Sequence, residues 1–309
     1  MARSRFPADL GLSSRMVLTM FLIGLVYVAF IAVLIAVAKV PIVFVVLIAG
    51  GFLFFQYFFS DRIALFSMHA REVSPREAPV LHGVVDRLCA LADMPKPRVA
   101  MADSDIPNAF ATGRNQKSAV LCVTRGIMRR LDEPELEAVL SHELSHVAHR
   151  DVAVMTIASF LGLLAGFVVR GAIYGGMYGG FGGYGRRNDS RDNTGAVILL
   201  VVLASAIVYA LSFLLTRALS RYRELSADRS AAILTGRPST LASALVKVSG
   251  EIARIPTRDL RAAEPLNAFF FAPALAPGLS LSSLFSTHPS LQRRLDQLAR
   301  IEREMGQVA

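Results

Sequence analysis

Apolar residues are concentrated in four long runs that alternate with polar stretches. The runs cover residues 16–38, 42–59, 152–169 and 196–216. A transmembrane helix needs about 20 apolar residues to cross about 30 Å of hydrocarbon, and the second and third runs lie near the short limit of that range. The pattern predicts a mainly α-helical integral membrane protein with about four transmembrane helices. For the third run, a buried core helix is the alternative.

The interiors of these runs contain no Asp, Glu, Lys or His. Ion and proton pathways usually need such groups within the membrane, so the pattern argues against a transporter. The first run is too long for a cleaved signal peptide, and a second apolar run follows it at once. The composition agrees with a membrane protein, since 53% of the residues are hydrophobic and the mean hydropathy is +0.48.

A charged helix is predicted between the second and third runs. Asp132 and Glu135 form an acidic start that resembles a capping box, and Pro134 sits in the first turn, where its missing N–H costs nothing. The apolar residues that follow recur at helical spacing. They are Leu136, Val139, Leu140, Leu144 and Val147. A metal site on this helix would therefore lie outside the spans and not deep in the bilayer.

The same helix carries the sequence His-Glu-Leu-Ser-His at 142–146. Histidines four residues apart lie one turn apart on one face, so His142 and His146 can both reach a single Zn²⁺. Glu143 can face a water molecule at the metal, which Zn²⁺ makes more acidic. The pattern H-E-x-x-H is typical of zinc-dependent peptidases. The alternative is an ordinary surface helix with two histidines and a glutamate.

A third metal ligand is needed, and His149 is the nearest candidate along the chain. It lies seven residues after His142, which is about 10 Å along a helix and too far for a set that also contains His146. We interpret His149 as a histidine at the end of the helix, near the negative end of the helix dipole.

Glu224 is the better candidate for the third ligand. Asp228 lies one turn further on the same helix face. One of these two acids can bind zinc, while the other can hold a ligand histidine through its free N–H. The alternative is a solvated helix in which Arg221 and Arg223 pair with the acids. The H-E-x-x-H motif favours the ligand interpretation.

Basic residues near the ends of the apolar runs predict the orientation in the membrane. Arginines precede the first run and follow the second and fourth, whereas only Lys39 marks the first turn. Four spans then place both termini and the H-E-x-x-H segment on the cytoplasmic side. Four arginines between the third and fourth runs are contrary evidence. They are Arg170, Arg186, Arg187 and Arg191.

Helix geometry places the predicted site close to the membrane. The third run begins about five residues after His146, or about 8 Å if the helix continues. Glu224 follows Thr216, the end of the fourth run, by eight residues, or about 12 Å. Both ligand-bearing helices are therefore expected to extend membrane helices. Such a site suits segments of membrane proteins that emerge from the bilayer better than freely diffusing peptides.

The remaining segments predict smaller elements. Residues 60–131 read as a mixed region with a helix at 82–91 and a strand at 118–124, which could pair with an extended substrate. Residues 171–195 contain a Gly/aromatic stretch typical of a flexible loop. Helices are expected at 240–255 and 291–305. His288, before the last helix, is either a donor to a transition-state oxyanion or an ordinary turn histidine.

Charge and cysteine content narrow the possible partners. The net charge of +9 suits the anionic cytoplasmic face of a lipid bilayer. No basic patch interleaved with aromatic residues is present, so we do not expect a nucleic-acid partner. Cys89 and Cys122 are the only cysteines and form no disulfide framework.

Four motifs, in this order, resemble the HtpX-like membrane zinc metallopeptidases, a branch of peptidase family M48 that also includes the CAAX prenyl proteases. They are Asn-Ala-Phe-Ala-Thr-Gly at 108–113, the 142–146 motif, Glu-Leu-Ser-Ala-Asp at 224–228 and Thr-His-Pro at 287–289. Leu225 departs from the family, in which relatives often carry an aromatic residue there, and this leaves the ligand set intact.

The resemblance implies a gluzincin-type zinc peptidase domain, helical with a small β-sheet. It implies one Zn²⁺ per subunit, bound by His142, His146 and Glu224, with Glu143 as the general base. It also implies a role in the quality control of membrane proteins. Asn108 is the candidate substrate-binding residue in the first motif.

The sequence therefore predicts a multi-pass protein of the inner (plasma) membrane with a cytoplasmic catalytic domain. We expect it to hydrolyse misfolded or damaged membrane proteins, or unfolded polypeptides. One alternative is a non-catalytic adaptor that retains a zinc site, but the presence of Glu143 argues against it. The other is a CAAX-type prenyl protease, but such enzymes typically have more membrane helices than the four predicted here. The expected parts are a tail (1–15), a helical hairpin (16–59), the first part of the peptidase domain (60–151), two spans with the Gly-rich loop (152–216) and the second part of the peptidase domain (217–309).

Overall fold

The computed structural model of the chain describes residues 6–7, 9–38, 42–158, 194–254 and 288–306. In chain order its elements are α1 Leu10–Ala38, α2 Ile42–Ser67, β1 Ala70–Glu72, α3 Pro79–Ala92, β2 Arg98–Ala102, β3 Ala109–Thr112, β4 Val120–Thr124, α4 Arg125–Arg130, α5 Glu133–His149, α6 Thr194–Thr235, α7 Pro238–Arg254 and α8 Leu291–Gly306. The chain is also helical over 151–158. The mainly helical fold with a small mixed sheet confirms that part of the prediction.

The chain divides into two compact units. We name the units after the parts predicted from the sequence. The membrane unit comprises 15–57 and 154–216, and the peptidase unit comprises 1–14, 58–153 and 217–309. In this division the chain leaves the peptidase unit after residue 153 and returns to it at residue 217. The predicted helical hairpin and the predicted pair of later spans both fall largely in the membrane unit.

The membrane unit presents apolar side chains outward. Its small core contains Ile23, Phe30, Ala158 and Val208, whereas many large apolar side chains such as Leu25 remain exposed. Exposed apolar surface of this extent suits a lipid environment. Among the described residues, two helical segments are long and apolar enough to cross a membrane, Leu10–Val33 and Leu199–Thr235.

The predicted spans correspond to the structure as follows. The first and fourth runs lie in α1 and α6, and the second lies within α2. The third run is helical to residue 158, and its remainder lies outside the described residues. The predicted Gly-rich loop at 171–195 also lies outside them, except for its last two residues, which begin α6.

The sheet of the peptidase unit has four strands in the order β1-β2-β4-β3. β4 pairs in parallel with β2 and antiparallel with β3, and all five of its residues are buried. Alternate side chains of a strand face opposite sides of a sheet. Val120 and Cys122 accordingly join one apolar cluster, with Ala64 at the end of α2, while Leu121 and Val123 join the main core with α3 and α5.

The position of β4 corrects one expectation. The strand predicted at 118–124 was considered for pairing with an extended substrate, but both edges of β4 are already paired. An interior strand has no free N–H or C=O groups to offer. The edge strand beside β4 is β3, which packs against α5.

The start of α5 is fixed by the predicted capping box. The Asp132 side chain accepts the Glu135 N–H at 2.9 Å, and the Glu135 carboxylate accepts the Asp132 N–H at 3.2 Å. Glu135 is buried and also accepts hydrogen bonds from Ser243 and Lys247 of α7, both at 2.7 Å. These contacts tie the beginning of α5, the helix that carries the H-E-x-x-H motif, to α7.

The end of α5 differs from the expectation. The helix stops at His149 because Arg150 has a left-handed backbone with φ 58°, and a second helical segment then starts at residue 151. The H-E-x-x-H helix is therefore not a straight extension of the third apolar run. Among the helices that the structure describes, only α6 joins an apolar run and a candidate ligand, Glu224, in one continuous helix.

The N-terminal segment also departs from its prediction as a tail. α1 begins at Leu10, six residues before the predicted start of the first span. Phe6 is 6% exposed and belongs to the main core of the peptidase unit. The described residues before α1 are therefore part of the packed structure.

Candidate metal centre

Helix α5 brings the first three candidate residues together. His142, Glu143 and His146 are all buried, with exposed fractions of 0%, 5% and 3%. The two imidazole rings meet edge to face with their centroids 4.9 Å apart, as the i, i+4 spacing allows. The rings therefore converge on one point beside the helix.

Glu224 of α6 lies at the same point. Its Oε2 is 3.4 Å from His142 Nε2, and its Oε1 is 3.6 Å from His146 Nε2. One ligand atom from each of the three residues lies within 4.8 Å of the other two. Three donors at such separations can surround one small metal ion.

The outer nitrogens of both histidines face carboxylates. His142 Nδ1 lies 2.9 Å from Asp228 Oδ1, and His146 Nδ1 lies 2.9 Å from Asp151 Oδ2. Carboxylates in this position fix the tautomer and the orientation of metal-binding histidines, which leaves Nε2 for the metal. Two imidazole nitrogens and one carboxylate form a ligand set that suits catalytic zinc, so the residues fit that ion.

Asp228 is not a solvated surface acid. It is 0% exposed, and Arg294 of α8 binds it through Nε at 2.7 Å and through a second nitrogen at 2.6 Å. The alternative in which Asp228 pairs with Arg221 or Arg223 on a solvated helix is therefore wrong. The guanidinium of Arg294 is itself only 2% exposed.

The electrostatics prepare the site for a cation. Burial alone would lower the pKa of His142, but the hydrogen bonds with Asp228 and Glu224 outweigh it and raise the pKa to about 9. Burial would raise the pKa of Glu224, yet its contacts with His288 and His142 hold that pKa well below its usual value. Because a ligand histidine must be neutral, a metal that binds here displaces a proton from His142.

Glu143 lies between the two candidate ligand histidines and the edge strand β3. Its Oε2 accepts the backbone N–H of Ala111 at 3.0 Å. Burial raises the pKa of Glu143, although charges on His142 and His146 oppose the increase. A carboxylate with a raised pKa is a better general base than an ordinary surface carboxylate.

His288 and Asn108 occupy different surroundings. His288 is 5% exposed, and its Nδ1 lies 3.2 Å from Glu224 Oε2, so the structure brings it to the group of candidate ligands. Asn108 is fully buried just before β3, where its backbone N–H bonds Thr124 Oγ1 at 2.9 Å and its carbonyl accepts the Thr124 N–H at 2.9 Å. These two contacts fix the start of the edge strand.

His149 is directed away from the three-residue group. Its Nε2 lies 3.2 Å from the carbonyl oxygen of Pro7, to which it can donate a hydrogen bond. Its place at the last position of α5 agrees with the interpretation of a helix-end histidine.

Sequence reasoning missed two residues that support the candidate ligands. Asp151 follows the left-handed residue Arg150, and this break in the helix lets its carboxylate return to His146. A search for acids just beyond the motif helix could have proposed it. Arg294 carried no such signal, because the chain separates it from Asp228 by 66 residues and no spacing rule links them.

Comparisons with known proteins agree on one family. A family model described as Peptidase family M48 matches residues 75–302. Protease HtpX homolog 1 of Streptomyces coelicolor is 59% identical over 306 residues, which cover 99% of this chain and 98% of that protein. The Protease HtpX homolog of Moorella thermoacetica is 57% identical over 303 residues, with 98% of each chain covered.

Among solved structures, the crystal structure of S. mikatae Ste24p matches with a TM-score of 0.49 at 16% identity. The match covers 94% of this chain and 67% of that chain.

The region that matches the family model contains all three candidate ligands and Glu143.

Proposed function

The chain belongs to peptidase family M48 as an HtpX-like membrane metalloprotease, and we propose that it is a zinc-dependent endopeptidase that cleaves membrane-inserted or unfolded polypeptides at the cytoplasmic face of the membrane. His142, His146 and Glu224 hold the metal ion in this proposal. The observation that carries it is the pair of buried histidines whose Nε2 atoms meet Glu224 while their Nδ1 atoms face Asp228 and Asp151.

The residues of the chain have separate roles in the reaction. Zinc, when bound, supplies a Lewis acid that polarises the scissile carbonyl and makes a water molecule more acidic. Glu143 takes a proton from the attacking water and passes it to the nitrogen of the leaving amine. His288, beside Glu224, is placed to donate a hydrogen bond to the oxyanion that develops on the substrate.

The edge strand β3 offers a place for an extended substrate. Asn108 exchanges hydrogen bonds with Thr124, and bonded pairs alternate along an antiparallel ladder. Phe110 and Thr112 therefore also face β4, whereas the backbone groups of Ala109 and Ala111 point away from β4. The Ala111 N–H already reaches Glu143 on that side. A substrate strand that pairs with β3 would thus bring its peptide bonds to the general base.

The substitution Glu143→Gln tests the mechanism. The amide fills the same space but cannot accept the proton, so we expect activity to fall by about 10²–10⁴-fold while the zinc content stays unchanged. Purified protein in detergent or proteoliposomes is assayed on a membrane-inserted substrate and on an unfolded soluble one. Glu133→Gln, an exposed glutamate of the same helix, is the matched control and should keep full activity.

Wild-type turnover in Glu143→Gln would refute the mechanism. If the protein is instead an adaptor that binds zinc without catalysis, the wild type should not cleave either substrate. A prenylated CAAX peptide in the same assay distinguishes the third possibility, since preferential cleavage of that peptide would replace the proposed substrate class.

The proposed topology has its own test. A single cysteine placed at the C-terminus, or at Ser74, should label from the cytoplasmic side, and one within 175–190 should label from outside. The native thiols give little background, because burial raises the pKa of Cys89 to about 11 and that of Cys122 to about 12. External labelling of the C-terminal cysteine would overturn the topology.

A further inference from the structure

The segment that precedes the first membrane helix is built into the peptidase unit. Phe6 lies in the main core, and Leu12, in the first turn of α1, is 1% exposed. Gly11 lies directly against the Tyr222 hydroxyl of α6, so a Cβ at position 11 would require the Tyr222 side chain to shift. We call residues 6–12 the N-terminal clasp.

Asp9 makes two different contacts within this clasp. Its Oδ1 accepts the Leu12 N–H at 2.7 Å, which is the usual role of an N-cap residue. Its Oδ2 accepts the hydroxyl of Ser226 at 2.5 Å. The first contact starts α1, whereas the second joins the clasp to α6. The Ser226 contact is a charge-assisted hydrogen bond, a class about twice as strong as neutral ones.

The clasp contacts the part of α6 that carries Glu224, on the helix face opposite to Glu224. Tyr222 and Ser226 lie two residues on either side of Glu224, and two residues turn a helix by about 200°. The clasp therefore lies against the face of α6 opposite to Glu224. Ser226 is 5% exposed, so the contact lies in the interior of the peptidase unit.

The clasp also holds the other ligand-bearing helix. The Pro7 carbonyl, two residues before Asp9, lies 3.2 Å from Nε2 of His149 at the end of α5. His149 is three residues after the candidate ligand His146. One short segment thus contacts both helices whose separation sets the distances among the three ligands.

We infer that Asp9 is a positioning residue of the metal centre, which acts through Ser226 to hold Glu224 at the correct distance from His142 and His146. The N-cap role alone does not account for the contact with Ser226, because serine would cap α1 as well. This inference rests on the proposed zinc site. It makes the zinc affinity of that site depend on the segment that begins the first span.

Two substitutions separate the bridge from the cap. Asp9→Ser keeps an N-cap oxygen for Leu12 but is too short to reach Ser226. Ser226→Ala removes the same bridge from the other side and leaves the cap intact. Ser13→Ala is the control, since the Ser13 hydroxyl only bonds the Asp9 carbonyl at an exposed position.

The measurements are the zinc dissociation constant, from competition with a chromophoric chelator, and the visible spectrum of the Co²⁺-substituted protein. We expect each bridge variant to bind zinc about three- to tenfold more weakly, with a shifted Co²⁺ spectrum. The double variant Asp9→Ser/Ser226→Ala should be no weaker than either single variant, because both remove one interaction. Ser13→Ala should match the wild type.

The possible results test the proposed function and the role of Asp9 separately. A wild-type protein that binds neither Zn²⁺ nor Co²⁺ would overturn the proposed function itself. Wild-type zinc affinity and an unchanged Co²⁺ spectrum in both bridge variants, even with a lower melting temperature, would show that the clasp only supports the fold and would overturn the inference. Additive losses in the double variant would also overturn it.

Discussion

Each of the two candidate ligand histidines faces a carboxylate, and each carboxylate contacts an arginine. We call each such acid–arginine pair an arm, and the two arms differ in how they are built. In the long-range arm, His142 faces Asp228, and Asp228 receives two contacts from Arg294. The acid lies on α6 and the arginine on α8, and both are almost completely buried. This arm connects three helices.

The local arm is shorter and less enclosed. His146 faces Asp151, only five residues further along the chain, and Asp151 contacts Arg223 through one nitrogen at 3.1 Å. The same oxygen of Asp151 serves both partners, and the side chain of Arg223 is 14% exposed. The arm is thus held by fewer contacts than its counterpart.

The difference concerns how a buried charge is compensated. A two-point contact with a buried guanidinium fixes the Asp228 carboxylate in one orientation and offsets its loss of hydration. A one-point contact leaves more freedom to the Asp151 carboxylate. Burial would raise the pKa values of Asp228 and Asp151, but the charges of Arg294 and Arg223, which are the strongest opposing contributions, hold these pKa values below their usual range. We therefore expect the site to depend more on the long-range arm.

Removal of the shared ligand should have the largest effect, because Glu224 meets both histidines. In Glu224→Ala the metal loses one of three protein ligands, so we expect zinc affinity to fall by more than the roughly 10–100-fold typical of an outer partner. The measurement is zinc content per mole after equilibration with a chelator.

His149→Gln is the control for Glu224→Ala. The amide can still donate to the Pro7 carbonyl, and we expect this variant to keep its zinc. An equal loss of zinc in His149→Gln would reverse the assignment of the third ligand.

The second prediction compares the two arginines. Arg294→Ala leaves the Asp228 charge buried without its guanidinium, and breaking such a pair from one side costs about 3–5 kcal/mol. Arg223→Ala should cost less, because water can approach its partly exposed position. Thermal unfolding of the detergent-solubilised proteins measures both. Equal losses would show that the two arms are energetically equivalent and would remove the distinction.

Much of what sequence reasoning found is encoded over short distances, whereas Glu224, 82 residues after His142, was proposed from its residue type and from the family resemblance. The capping box at Asp132 and Glu135 is present as predicted, because its rule spans one helical turn. The start of α3 was predicted three residues late, since the first turn beginning at Pro79 is not distinguished by the apolar spacing.

The missed parts depend on contacts between distant segments. The pairing of Asp9 with Ser226 spans 217 residues, and no local pattern marks the N-terminal segment as a structural element. The interior place of β4 was readable in principle, because its run of consecutive apolar residues is typical of a strand that is buried on both faces. The break at Arg150 was not, since a left-handed arginine has no sequence signature comparable to glycine.

The smallest expected effect distinguishes the acids of the two arms. Asp228→Asn and Asp151→Asn keep the shape and one carbonyl oxygen but remove the charge that orients the histidine. We expect Asp228→Asn to lower zinc affinity or cleavage rate by about 10–100-fold, as is typical for an outer partner of a metal ligand. Asp151→Asn should give a smaller loss, because its carboxylate is held at one point and orients His146 less tightly.

Zinc titration and cleavage kinetics of the two variants decide the matter, with Asp86→Asn as an exposed control on α3. If both variants retain wild-type affinity and rate, neither arm orients its histidine and the carboxylates serve only the fold. If Asp151→Asn shows the larger loss, the local arm is the dominant one, and the number of arginine contacts is not what sets the rigidity of the ligands. A larger loss in Asp228→Asn would instead tie the precision of the site to Arg294, whose guanidinium on α8 then positions a metal ligand through an acid on α6.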